Sequence, residues 1–434
     1  MQQKDKTAVP VDYDFNKAIL LMPEKLIINN SEKHSILLNN GNNSYYYGRI
    51  TNASNTLLKE MFVSKYPYYS KQINDKQWDK LTDGRCIQLK YDKNIKADAF
   101  VGLLGVNKDL LNGIDNVSDI IISAENSRIY IADMKNNLYY EFSNNTVSFS
   151  KLDSLITEVS GKTMPAGIFL NKLYPEFYSS DFIIPAQTSM RTEELPAYTA
   201  EKELDVDAKN DFVLEFFDPS STLSTIKDSE GAVTYNDREG AMVKIDADGV
   251  LEYNRYNLST EEAPKISLAE AMDISTEFVN KHLGFPDDSY ITGVQSYSQG
   301  ARYYITFNYR YGGTPVMLDS QTESSAIEIE LVGREVKRYK RQVIKTVEAR
   351  PLDELRAPTT ILDAVFHEST QSGETISKIN NMKTVYLERN TQGTLSLIPA
   401  WVVDVVTGRQ ENDKNIEENR QYIINAETGL IIGK

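Results

Sequence analysis

An α+β fold, built of antiparallel sheets each covered by helix on one face, follows from three features of the sequence. Short alternating apolar runs separated by polar turns recur along the chain and read as meander strands. A few segments instead carry apolar residues at helical spacing. The aromatic set is lopsided, with 26 Tyr against 15 Phe and 2 Trp, and Tyr suits strand surface where the ring packs and the hydroxyl stays wet. At 434 residues the chain exceeds one compact core, so two to three domains are expected, and the segments below give three.

Residues 1–12 read as a linker or tether, because Met1–Val11 is polar and turn-rich. Residues 13–195 form a mixed α/β N-terminal domain. Lys25–Asn29 and Ser35–Leu38 are short strands around an Asn-rich turn. Asn55–Val63 places Leu57, Leu58, Met61 and Phe62 on one helical face. Asp119–Ser123, Arg128–Ala132 and Asn137–Phe142 are meander strands, and Lys151–Val159 is a second amphipathic helix. Pro185 to Leu204 has no sustained period and marks the boundary.

The middle domain, residues 196–345, opens with strand-like Phe212–Phe217 and a turn-rich stretch, Asp218–Ser224. Ala232–Tyr235, Ala241–Ile245 and Val250–Tyr253 follow, with Asp248-Gly249 as a hairpin turn. Leu268–Leu283 is the clearest helix. Ser267 and Glu270 form a capping box, Leu268, Met272, Ser275, Val279 and Leu283 share a stripe, and Gly284 with Pro286 ends it. Strands return at Tyr290–Tyr297, Arg302–Arg310, Thr314–Leu318, Ala326–Leu331 and Glu335–Val343.

The C-terminal domain, residues 346–434, begins around Pro351 and Pro358. Thr360 is read as the cap of a helix over Ile361–Glu368. Strands Thr384–Glu388, Leu395–Val405, Gln421–Asn425 and Leu430–Ile432 close the chain, with Arg409–Arg420 as a charged loop. The last two domains read as a duplication. Ser267 and Thr360 start helices with Ala271 and Ala364 four residues on, Gln299-Gly300 recurs as Gln392-Gly393, and Gly333 matches Gly429.

Composition excludes several functions. A net charge of −15 repels nucleic acid and anionic lipid, and no basic cluster offsets it. No run of 18 or more apolar residues exists to span a membrane. The one cysteine, Cys86, rules out an intrachain disulfide and reads as a buried structural thiol at the front of an apolar strand. The three histidines, His34, His282 and His367, read as surface or helix-end residues, with no spacing that suits a metal. Asp246-Ala-Asp248-Gly249 and Asp207–Asp211 lack the ligand order of a calcium loop, and Gly312-Gly313 is a strand turn rather than a phosphate loop. No catalytic, cofactor-binding or metal residue is therefore assigned. Tyr45–Tyr47, Tyr66–Tyr69 and Tyr303–Tyr311 read as solvated sheet faces, or as partner- or sugar-binding surfaces.

Met22–Asn29 (MPEKLIIN), Arg85–Tyr91 (RCIQLKY), Phe216–Ser220, Leu397–Val405 (LIPAWVVDV) and Tyr422–Ile431 (YIINAETGLI) together resemble the YycH family and its relative YycI, whose closing hairpin is PepSY-like. The resemblance implies a non-enzymatic, extracytoplasmic accessory protein of the WalK (YycG) sensor histidine kinase, which controls cell-wall metabolism in Gram-positive bacteria. It implies tethering by an N-terminal helix ahead of this chain, a kinase or a YycI-like protein as partner, no cofactor and no catalytic residues. Contact would fall on tyrosine-rich sheet faces or unpaired strand edges. Two alternatives stay open: a PepSY-type inhibitor or chaperone of an exported peptidase, and a wall-polysaccharide enzyme or binding protein.

Overall fold

Apolar alternation sets most of the architecture, but polar segments carry several elements that it does not reveal. The computed structural model describes residues 17–31, 33–63, 68–106, 111, 113–177, 183–186, 195–204, 211–259, 261, 263–318, 325–391, 393–411 and 414–433. The expected tether over 1–12, Tyr66, Gln392 and the segment 207–210 lie outside the described residues.

The chain enters through a 3-10 turn, Lys17–Leu21, then β1 (Lys25–Asn30), β2 (Lys33–Leu37), α1 (Ser44–Val63), β3 (Tyr69–Ile73), α2 (Asp75–Asp79), β4 (Cys86–Lys96), α3 (Ala97–Leu104), β5 (Asn116–Ser123), β6 (Arg128–Asp133), β7 (Leu138–Ser143) and α4 (Ser150–Ser160). The strands form one antiparallel sheet, ordered β2-β1-β4-β5-β6-β7-β3. Its central strand β5 is buried along its whole length, which is why NVSDIIIS lacks clean alternation. Helix α1 starts at Ser44 rather than near Asn55, because the polar run Thr51–Asn55 hides the apolar period. Tyr45–Tyr47 is thus the first turn of a helix, not a sheet face. Tyr47 is buried, its hydroxyl donating to the Pro23 carbonyl, while Tyr45 points to solvent.

A short ribbon, β8 (Gly167–Phe169) and β9 (Ile183–Pro185), flanks α5 (Leu170–Leu173), and β10 (Ala197–Lys202) follows. Phe212–Phe217, read as a strand, lies largely in a 3-10 turn over Asp211–Phe216 that buries Val213 and Phe216. Then come β11 (Ser224–Lys227), β12 (Val233–Asn236), β13 (Ala241–Ile245), β14 (Leu251–Arg255), α6 (Leu268–Lys281), β15 (Ser289–Tyr297), β16 (Arg302–Tyr311), β17 (Thr314–Met317), β18 (Ile327–Val332), β19 (Glu335–Arg341), β20 (Ile344–Arg350), α7 (Pro358–Gln371), β21 (Thr375–Thr391), β22 (Thr394–Glu411), β23 (Lys414–Asn425) and β24 (Ile431–Gly433). The expected charged loop Arg409–Arg420 is mostly ladder: Arg409 pairs with Ile416 and Glu411 with Lys414 in one long hairpin.

These strands join one 15-stranded sheet along the path β11-β12-β13-β14-β19-β18-β16-β17-β21-β22-β10-β20, with β15 on β16 and with β23 and β24 beyond β22. Two connections make it continuous. Strand β17 leaves the β16 hairpin and pairs in parallel with β21, Val316 opposite Tyr386. Strand β10 pairs with β22 on one side and β20 on the other, so the segments entering and leaving the middle unit form a ribbon rather than a loop.

Helix followed by a four-stranded meander occurs twice: α6 with β15-β16-β18-β19, and α7 with β21-β22-β23-β24. Gly300 and Gly393 occupy the first hairpin of each meander, and Gly333 and Gly429 the third, all with positive φ. The helices align differently from the sequence reading. Ala357, not Thr360, is the N-cap of α7, with Pro358 in the first turn where its missing N–H costs nothing. Counted from their caps, buried Ala271, Met272, Ser275 and Val279 match buried Ile361, Leu362, Val365 and Ser369. Ser267 accepts from the Glu270 amide at 3.2 Å, as expected of its cap, but the Glu270 carboxylate pairs with Arg334 at 2.7 Å, so only half of the expected box forms.

One apolar cluster runs from Leu20 and Leu21 through the first sheet to Ile305, Ile329 and Tyr339 of the middle unit. Helices α3 and α6 touch where Gly102 faces Ala269, a Cβ on Gly102 lying 3.6 Å from the Ala269 Cα. Buried Arg310 crosses the same junction, donating to the Met22 carbonyl at 3.0 Å while its guanidinium lies 4.0 Å from the Tyr290 ring centroid. Buried Arg341 grips Glu203 with two bonds of 2.7 and 3.1 Å and donates to the Gly284 carbonyl at 2.7 Å, fixing the end of the β10 segment to α6.

Candidate interaction surface

The groups most able to do chemistry are dispersed and each is occupied structurally. Cys86 is fully buried, 3.4 Å from the Asn29 amide nitrogen, and burial pushes its thiol up to about 12, far from a thiolate at neutral pH. His34 and His282 are buried, against the expectation of surface positions. His34 sits 2.8 Å from the Asn29 Oδ1 and edge-on to Phe169. His282 stacks on Phe216 at 4.1 Å, at the C-terminal end of α6, where the apolar wall of the core closes over it. Burial lowers the pKa of both below the ordinary imidazole value. His367 alone is exposed and contacts Gln371. Among the described residues, no group of three or more His, Cys, Asp or Glu side chains is arranged to hold a metal. Asp246, in the supposed calcium-loop segment, pairs with Lys244 at 2.6 Å in a hairpin whose Gly249 has φ +76°.

The tyrosines are distributed by strand parity. In β16 the odd positions Tyr303, Ile305, Phe307 and Tyr309 are buried, whereas Tyr304 and Thr306 face the other side. Tyr253 and Tyr339 also face the core beneath α6. The tyrosine-rich segment is therefore chiefly an inner surface, which corrects the solvated-face reading of Tyr303–Tyr311.

The opposite face of the middle sheet is open and charged. Cross-strand register aligns Thr234, Lys244, Glu252, Lys340 and Glu328 in one row, and Asn236, Met242, Asn254, Arg338 and Glu330 in the next. Ion pairs lace it: Arg338 with Glu252 at 3.1 Å and Arg302 with Glu330 at 3.0 Å. At its far end two large apolar side chains stand out, Ile226 at 64% and Tyr256 at 65% exposure, with the Tyr256 hydroxyl near the Met242 sulfur. Exposed aromatic and aliphatic groups ringed by charge are the usual anchors of a protein contact.

The sheet edges are less inviting. Strand β11 has four residues, and β20 carries a bulge opposite Thr199 and Ala200 together with Lys345, Glu348 and Arg350. Short, bulged and charged edges resist addition of another strand.

No helix among the described residues is long and apolar enough to cross a membrane. The architecture defines a class of α+β protein in which two helix-capped meanders are stitched into one sheet beside a separate N-terminal sheet. It is the fold seen in the crystal structure of YycH from Bacillus subtilis, which superposes with a TM-score of 0.60 over 92% of this chain and 96% of that one, at 14% identity. Residues 202–412 match the family described as YycH protein, C-terminal domain, so this part of the chain is a domain of the YycH family. An uncharacterized protein from Eubacterium rectale ATCC 33656 is a more distant neighbour, at TM-score 0.40 and 11% identity over 55% of this chain and 86% of that one. No curated protein matches by sequence.

Proposed function

We propose that the protein is a non-enzymatic regulator that binds the extracytoplasmic part of a membrane sensor histidine kinase of a cell-wall two-component system, alone or with a YycI-like protein. The YycH-family domain over residues 202–412 is the observation that carries this reading. The scattered and structurally engaged histidines and cysteine agree with it. Its place is outside the cytoplasmic membrane, tethered by a helix preceding this sequence. The open charged face, anchored by Ile226 and Tyr256, is the contact surface. A rigid body on one kinase state shifts the kinase only by its difference in affinity for the two states.

The test reconstitutes the full-length kinase in nanodiscs and measures autophosphorylation with and without this protein. The expected result is a change of about five-fold or more, the lower range of allosteric coupling, that is lost in the double variant Ile226→Ala, Tyr256→Ala. Both side chains are exposed, so the variant folds. No binding to the kinase with the intact protein would sink the proposal.

A further inference from the structure

Beyond the open face, the middle sheet is walled into a groove of about 520 Å³, within the range of roughly 300–1,000 Å³ typical of ligand sites. Its sides come from all three units. Strands β15 and β16 give a polar wall that includes Thr292, Gln295 and Asn308, strands β17 and β21 give an apolar strip through Met317 and Val385, and the first sheet contributes Lys96 and Lys135. A bulge between Ile291 and Gly293 shapes the polar wall: Gly293 pairs with Thr306, and a Cβ there would lie 2.8 Å from the Thr306 hydroxyl. A side chain at that position would collide with Thr306.

The hydrogen-bond inventory of the groove is uneven. Its acidic neighbours are already engaged. Glu328 accepts from the Tyr304 hydroxyl at 2.6 Å, Asp119 pairs with Lys90 at 3.2 Å, and Asp133 accepts from the Asn116 amide at 2.9 Å and from the Asn136 side chain at 2.9 Å. The two rim ammoniums are not: among the described residues neither Lys96 nor Lys135 has an ion-pair or hydrogen-bond partner, and both are exposed. Lys383 lines the same space. The groove thus offers charged donors at one end, neutral side-chain hydrogen-bonding groups along one wall and aliphatic surface along the other.

We propose that this groove binds an acidic peptide segment in extended form, its carboxylates at Lys96 and Lys135 and its aliphatic side chains on the Met317 and Val385 strip. An extended peptide alternates its side chains, which suits walls of opposite character, whereas a small anion leaves the apolar strip uncovered. The groove belongs to the isolated protein, and peptide binding there does not depend on the kinase reading.

Fluorescence anisotropy with a labelled hexapeptide of alternating glutamate and valine tests it, alongside the lysine–valine hexapeptide, free glutamate as competitor, and moderate salt. Saturable binding of the acidic peptide is expected, with no binding of the basic one. The double variant Lys96→Glu, Lys135→Glu should weaken it by about ten-fold or more, since two charge-assisted contacts become repulsions. The charge-matched variant Lys162→Glu, Lys281→Glu, at exposed positions just beyond α4 and at the end of α6, should leave it unchanged. Absence of saturable binding overturns the proposal, as does equal weakening in both double variants. Displacement by free glutamate at the affinity of the peptide overturns the peptide assignment.

Discussion

His282 shows how one side chain ties burial to pH. Its ring nitrogens lie 2.7 Å from the Phe278 carbonyl and 3.2 Å from the Glu215 carbonyl, and its ring stacks on Phe216. A neutral imidazole donates from one nitrogen only, so the two carbonyls favour the cation. Burial opposes them and is the larger effect, leaving the pKa below the ordinary 6.5. His34 is lowered in the same direction, first by burial and then by Lys172. The unfolded chain therefore binds more protons than the folded one just below the ordinary value. Stability is full above that value and is lost as pH falls towards the lowered folded pKa. The melting temperature should drop between about pH 7 and pH 5, and His282→Gln should make that drop shallower while lowering the melting temperature at neutral pH through loss of the stack. An unchanged slope in the variant would remove His282 from the account. The helical pattern places this residue correctly at a helix end but exposes it. What buries it is Phe216, in a 3-10 turn that local periodicity presents as a strand.

At the scale of the element, the repeated turns separate conformational need from packing. Gly333 and Gly393 both hold left-handed backbone, at φ +56° and +83°, the first in the third hairpin of the α6 meander and the second in the first hairpin of the α7 meander. A Cβ on Gly333 would meet the Pro264 ring at 2.7 Å, whereas one on Gly393 meets nothing within 4 Å. Alanine at either position carries the left-handed penalty of about 1–2 kcal/mol, and only Gly333→Ala adds a collision with a stiff ring. Urea unfolding should rank Gly333→Ala as clearly the more destabilised; equal midpoints would show that the Pro264 contact yields. These turns are legible because glycine at positive φ leaves a mark in sequence. Helix α6 is legible through Ser267 and its apolar stripe. Helix α7 is displaced in the sequence reading because Thr360 resembles a cap more than Ala357 does, although Pro358 at the first helical position is the truer signal. The hairpin tip beyond Arg409 is not legible, since charged residues such as Arg409 and Glu418 pair across strands without apolar alternation.

For the whole molecule, long-range strand pairing decides what is one body, and a sequence read locally does not disclose it. Strand β10 lies inside a stretch whose sequence reads as a boundary loop, and its order comes from ladders to β22 and β20 far along the chain. The shared core of the N-terminal and middle units is equally non-local. Leu20 and Leu21, at the entry of the chain, sit in the same apolar cluster as Ala271 and Met272 of α6, and Lys17 pairs with Asp273 on that helix. The entry turn therefore acts as a strap across two units, with Arg310 reaching Met22 just beyond it. Leu21 is fully buried, so Leu21→Ala should cost about 2–5 kcal/mol. If the strap joins the units into one cooperative body, that loss appears in both. Hydrogen exchange should quicken in α3 and α6 together, while α7, whose core is built from Ile361, Val365, Trp401 and Val403, keeps its protection. Faster exchange confined to the N-terminal sheet would mean that the middle unit holds α6 without the strap, and that the continuous cluster is contact without cooperativity.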